Sequence, residues 1–129
     1  MNRSPDTAPA PDVLAALRHA TAARHERLDS ALPLSSLDAT LADYAAHLHL
    51  LQDWLAPLQD WLNGYGDGPQ GPAGLAPAPH LALIEADLAE SSLAGYDGAA
   101  HLDARPWPHD ASAAYRWGVA YVVEGSQLG

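Results

Sequence analysis

The chain has 129 residues, 48% of them hydrophobic, which suits one soluble domain whose core is built mainly from Ala and Leu, since Phe is absent. Sixteen acidic against six basic residues, none of them Lys, give a net charge of −10 and argue against binding to nucleic acid or to anionic membranes. Without Cys there is no disulfide framework and no thiolate ligand, and neither the polar start at Met1 nor the short apolar run Trp117 to Val123 reads as a secretory signal or a membrane span, so a cytoplasmic protein is expected.

Residues 1–11 hold Pro5, Pro9 and Pro11 among small side chains and read as a disordered lead-in to a helical domain over 12–129. Asp12 suits a helix N-cap. From Val13 to about Leu32, Leu14, Leu17, Leu28 and Leu32 form one apolar stripe, and Thr21 and His25 fill the gap between them, so His25 is expected to face inward. Pro33 stops this helix, and Ser35 and Ser36 offer the next cap. Leu37, Leu41, Tyr44, Leu48, Leu51, Leu55, Leu58 and Leu62 then mark a second long helix, which Pro57 is expected to kink or break near Trp54. The segment from Asn63 to Pro79 is rich in Gly and Pro and reads as a long loop without an evident site. A shorter helix from about Leu81 to Leu93 shows Leu81, Ile84 and Leu88 on one face. A second loop, Gly95 to Pro108, leads to Asp110, the expected cap of the last helix.

That last stretch, Trp117 to Gly129, reads as a helix although it carries three glycines. At about 100° and 1.5 Å per residue, Gly118, Gly125 and Gly129 fall within roughly 40° of one another along about 16 Å of axis. Each glycine inside a helix costs on the order of 1 kcal/mol against alanine, so the strip calls for a body lying close to bare backbone, either a second helix or a flat ligand.

Among the seven histidines, His19, His80, His101 and His109 fall at expected surface or loop positions, and His47 and His49, two apart on a helix, point to different faces. His25 differs because it interrupts a leucine stripe, where a neutral imidazole needs a hydrogen-bond partner or a metal. Asp29, one turn on, is placed to accept from its Nδ1 and leave Nε2 free, and Arg18, two turns back on nearly the same face, is placed to meet a ligand carboxylate. A satisfied core histidine, a solvated Asp29 and a surface Arg18 are the bland alternatives. His25-Glu26-Arg27-Leu28-Asp29 lacks the second histidine of a zinc-protease helix, Glu124-Gly125-Ser126-Gln127-Leu128 lacks the glycine placement of a nucleophile elbow, and the acids Glu85, Asp87 and Glu90 read as a solvated helix face.

The stretches Leu17 to Asp29 and Trp117 to Gly129 resemble the proximal and distal helix patterns of the haem oxygenase family, particularly its bacterial members. Tyr44 and Leu55-Ala56-Pro57-Leu58 are similar to the family's second helix, and Ile84-Glu85-Ala86-Asp87-Leu88 to its third. The resemblance implies an all-α, haem oxygenase-like multi-helical domain that holds haem between two helices. It implies His25 as the proximal iron ligand, Asp29 on its other nitrogen, Arg18 on a haem propionate, and Gly118, Gly125, Ser126 and Gly129 along the distal side, where O₂ binds. The implied reaction consumes haem, at once substrate and cofactor, with O₂ and electrons from a reductase or ferredoxin, and yields biliverdin, CO and Fe²⁺. Family members run on past the distal glycines through further basic helices, whereas this sequence stops at Gly129, so the domain is expected to be an N-terminal portion, incomplete at its C-terminus. A non-catalytic haem-binding or interaction module on the same scaffold, and a thiaminase-like helical domain without haem, are the alternatives.

Overall fold

The fold is that of a computed structural model, which describes residues 12–76, 78–98 and 106–128; the expected lead-in, His101 and Gly129 lie outside these residues. All regular structure among the described residues is helical, as the fold class requires: α1 (Val13–Ala31), α2 (Leu41–Asn63), α3 (His80–Leu88) and α4 (Ala113–Gly125), with short 3₁₀ turns at Pro33–Ser35, Gly68–Gln70, Ser91–Leu93 and Ser126–Leu128. No described helix is long and apolar enough to cross a membrane. The chain divides into two compact units, Met1–Ala39 and Thr40–Gly129.

In the first unit, α1 starts where the Asp12 side chain accepts from the Ala15 backbone N–H at 3.1 Å and stops ahead of Pro33, which has no N–H to continue the ladder. None of its residues is buried: Leu14, Leu17 and Leu28 are 44%, 51% and 53% exposed. His25 is exposed as well, against the expectation that it faces inward. Periodicity identifies which side of a helix is apolar and says nothing of what covers it, and the 3₁₀ turn that follows α1 is only three residues long.

The second unit carries the core. Ala45, Leu48, Leu55 and Leu58 of α2, Ile84 of α3 and Leu93 of the following turn form one buried cluster, flanked by Trp54, Trp61, Trp107 and Val119. α2 begins four residues later than Leu37 suggested, because Thr40 and Asp43 make a reciprocal capping box: the Thr40 hydroxyl accepts from the Asp43 N–H at 3.2 Å, and the Asp43 carboxylate accepts from the Thr40 N–H at 2.9 Å. Leu37 is left fully exposed, and Ser35 and Ser36 cap nothing in α2. The helix then runs unbroken through Pro57 to Asn63. Buried Leu55 and Leu58 lie on either side of the proline, and their packing holds the helix together through it.

α3 ends at Leu88 rather than Leu93; Ser91 and Ser92, weak helix formers, lie in a 3₁₀ turn that still delivers Leu93 to the core. α4 is capped by Ser112, whose hydroxyl accepts from the Tyr115 N–H at 3.2 Å, and not by Asp110. Its α-geometry ends at Gly125, and Ser126 begins a tighter turn, so the expected single helix to Gly129 is shorter than its periodicity suggests.

Candidate functional site

On α1 the helix itself sets the geometry. Arg18, His25 and Asp29 share one side of it at the spacing of one and two turns, and all three are exposed. Among the described residues no hydrogen bond joins His25 to Asp29, and Arg18 has no ion pair, so the expected Asp29 contact is not formed in the chain alone. The imidazole therefore keeps both ring nitrogens open to a ligand. Three of the six basic residues, Arg18, Arg24 and Arg27, sit on this helix together with the acids Glu26 and Asp29.

On α4, Gly118 and Gly125 face open space: a Cβ built on either would meet nothing within 4 Å. Among the described residues of the second unit, then, helix packing does not account for these two glycines. Gly118 borders a recess of about 380 Å³ walled by Trp54, Trp107, Tyr115, Val119 and Val122. Trp107 is held by stacking on Trp61 at a centroid distance of 5.0 Å, and the Trp61 Nε1–H donates to the Pro108 carbonyl at 2.8 Å. Ser126, at the end of the strip, donates its hydroxyl to the Val123 carbonyl at 2.7 Å and accepts from Gln127 Nε2 at 3.0 Å. Gly129 lies outside the described residues.

Several polar constructions were not evident from spacing. Arg116, 2% exposed, is the only buried charged residue among those described. Its guanidinium donates to the Asp67 carboxylate at 2.5 Å, the Asp67 carbonyl at 2.7 Å, Gln70 Oε1 at 2.7 Å and the Ala111 carbonyl at 3.3 Å, and it lies 4.1 Å from the centre of the Tyr65 ring. The glycine-rich loop, expected to hold no site, is thereby fastened to α4. The one local signal for this is an arginine between Tyr115 and Trp117 in a helix whose other charged residue is Glu124. His80, taken for a surface residue, is half-buried and lies with Nε2 3.2 Å from a Glu124 carboxylate oxygen. Asp87, read as a solvated acid, accepts from the Tyr44 hydroxyl at 2.7 Å; that hydrogen bond, then burial and the nearby negative charge, raise the Tyr44 pKa above its ordinary 10.0.

No three His, Asp or Glu side chains converge as a metal cluster among the described residues, so iron ligation of the kind expected would rest on a single imidazole and a macrocycle. No protein-family model, curated protein or solved structure matches the chain.

Proposed function

We propose that this chain is a haem oxygenase-type helical domain that binds haem and, with O₂ and an external electron donor such as a reductase or ferredoxin, opens it to biliverdin with release of CO and Fe²⁺. The observation that carries the proposal is the open glycine face of α4. Gly118 and Gly125 have no neighbour within 4 Å of a would-be Cβ, and beside Gly118 lies an aromatic-walled recess. A helix that gives up about 1 kcal/mol at the interior Gly118, and presents a second bare position where it ends at Gly125, suits a flat ligand that must come close to backbone.

The residues present fit haem. The exposed, unpartnered His25 is free to take iron through Nε2, and Asp29, one turn on, can then accept from Nδ1 and hold the ring. Arg18, two turns before His25 on the same side of α1, offers a fork for a propionate. When bound, haem supplies both the O₂-activating iron and the ring that is opened. Gly118, Gly125 and Ser126 bring no imidazole or thiolate of their own to α4, and the Ser126 hydroxyl, already engaged with Val123, is held by that hydrogen bond.

Haem titration tests this directly. The expected outcome is a Soret band that His25→Ala shifts or abolishes while leaving the helical content unchanged. An identical spectrum in the variant removes His25 as the ligand. Tight haem binding without biliverdin formation under a reductant leaves a haem-binding module and removes the enzyme.

A further inference from the structure

The second unit holds another opening, of about 740 Å³, between α2, the glycine-rich loop, α3 and α4. Its volume falls in the range of small-molecule sites. Leu55, Leu58 and Leu62 of α2, Pro69 of the loop, Leu81 of α3 and Val123 of α4 give it apolar walls. The loop wall is preformed, because Arg116 fastens Asp67 and Gln70 and because Gly68, at φ +59°, lies so close to Ala113 that a Cβ would come within 2.8 Å.

The charge on its lining has one sign. Glu124 is the only acidic residue there, His80 stands beside it, and neither Arg nor Lys takes part. The two Glu124 oxygens lie 3.2 and 3.3 Å from a single His80 nitrogen, and the carboxylate is half exposed, at 51%. A carboxylate has about four acceptor positions, so most of its capacity is left for a ligand. An ammonium group has three donors and suits it, whereas a carboxylate ligand would meet the Glu124 charge with no Arg or Lys on the lining to answer it. Counted at about 100° per residue from Gly118, Ala120, Val123 and Glu124 lie on the opposite side of α4, so a ligand here leaves the glycine strip free.

We propose that this cavity binds a small cationic amphiphile, an alkyl or aryl amine whose apolar body lies among Leu55, Leu58, Leu81 and Val123 and whose ammonium group is taken by Glu124 beside His80. Octylamine, octanol and octanoate, below their micellar concentrations at neutral pH, are suitable probes for the full chain, followed by backbone amide NMR shifts. Octylamine is expected to move the amides of Leu81, Val123 and Glu124 and to bind about tenfold tighter than octanol, with octanoate weaker still. Glu124→Gln should remove the preference for the amine and leave octanol binding unchanged. Ala78→Trp, which puts a large side chain on the cavity lining, should weaken octylamine and octanol together in a chain whose circular dichroism is unchanged. Octanoate binding as well as octylamine, shifts confined to other residues, or undiminished octylamine binding in a folded Ala78→Trp variant would overturn the proposal.

Discussion

The two units use their leucines in opposite ways. Among the described residues of Thr40–Gly129, Leu48, Leu55, Leu58 and Leu93 are buried and every buried side-chain polar atom has a partner, whereas α1 shows Leu14, Leu17 and Leu28 to solvent and leaves His25 and Arg18 without a partner among the described residues. The polar residues of the second unit mostly serve its architecture: Arg116 holds a loop, Tyr44 ties α2 to Asp87, and Trp61 and Tyr65 hold the Pro108 carbonyl. On α1 the histidine and arginine side chains have no partner among the described residues. Unsatisfied chemistry on an unpacked helix is a better lead to function than a buried charge, because burial obliges a charge to be paired whatever the protein does.

Truncating one leucine in each unit is the strongest way to break that comparison. Leu58→Ala, at a side chain 1% exposed, should destabilise the second unit by about 3 kcal/mol in urea unfolding. Leu28→Ala, at 53% exposure, should change stability by less than about 0.5 kcal/mol. Equal effects would mean that α1 is packed in solution.

Arg116→Ala comes next, at about 2 to 3 kcal/mol, from orphaned carbonyls and lost packing around the guanidinium. The Asp67 side chain is 70% exposed, so its carboxylate regains water when the arginine is removed, and the full penalty of a stranded buried charge does not arise. Urea denaturation of Arg116→Ala beside Arg116→Lys separates the contributions: lysine should recover the charge on Asp67 and not the fork that also reaches Gln70.

Two glycines give opposite signs. Gly68→Ala places a side chain at φ +59° and 2.8 Å from the Ala113 Cβ, and should lower stability by about 1 to 2 kcal/mol. Gly118→Ala meets open space inside a helix, and should raise stability by about 0.5 to 1 kcal/mol. If the strip serves haem, the more stable Gly118→Ala protein should also bind it less tightly, a pairing that a purely structural glycine would not show. Thermal melts followed by haem titration of the same sample read both quantities.

The sequence carries most of the helical layout because leucine spacing and prolines are local signals: α1 is capped by Asp12 and ends before Pro33, and Tyr44 to Leu62 mark much of the α2 core face, although Leu37 and Leu41 are exposed and the fully buried Ala45 is not among the marked positions. It carries the ends less well. Ser35, Ser36 and Asp110 are all chemically able to cap, and leucine spacing does not choose among caps; at α2 the choice is made locally, by the reciprocal pairing of Thr40 with Asp43, and at α4 Ser112 takes the place expected of Asp110. The Arg116 clamp and the His80 pair with Glu124 span 49 and 44 residues, and no periodicity links positions that far apart. The glycine strip was legible because it breaks a local rule, and an open helix face is where such a break has a use.

The smallest expected effect sharpens the comparison at the boundary where the second unit begins. Thr40→Ala removes the hydroxyl that accepts from the Asp43 N–H, and should destabilise α2 by about 1 kcal/mol at neutral pH. The hydrogen bonds from the Thr40 backbone and side chain hold the Asp43 carboxyl below its ordinary 3.8. A lowered carboxylate pKa contributes stability that is fully present above the unfolded value and disappears as pH falls through the folded one, so the wild-type advantage over Thr40→Ala should shrink below about pH 4. Stability measured against pH for Asp43→Asn should show a flatter acid limb than wild type. If instead the two acid limbs coincide, the box is an arrangement without energetic weight, and the start of α2 is fixed by Ala45 and Leu48 in the core alone.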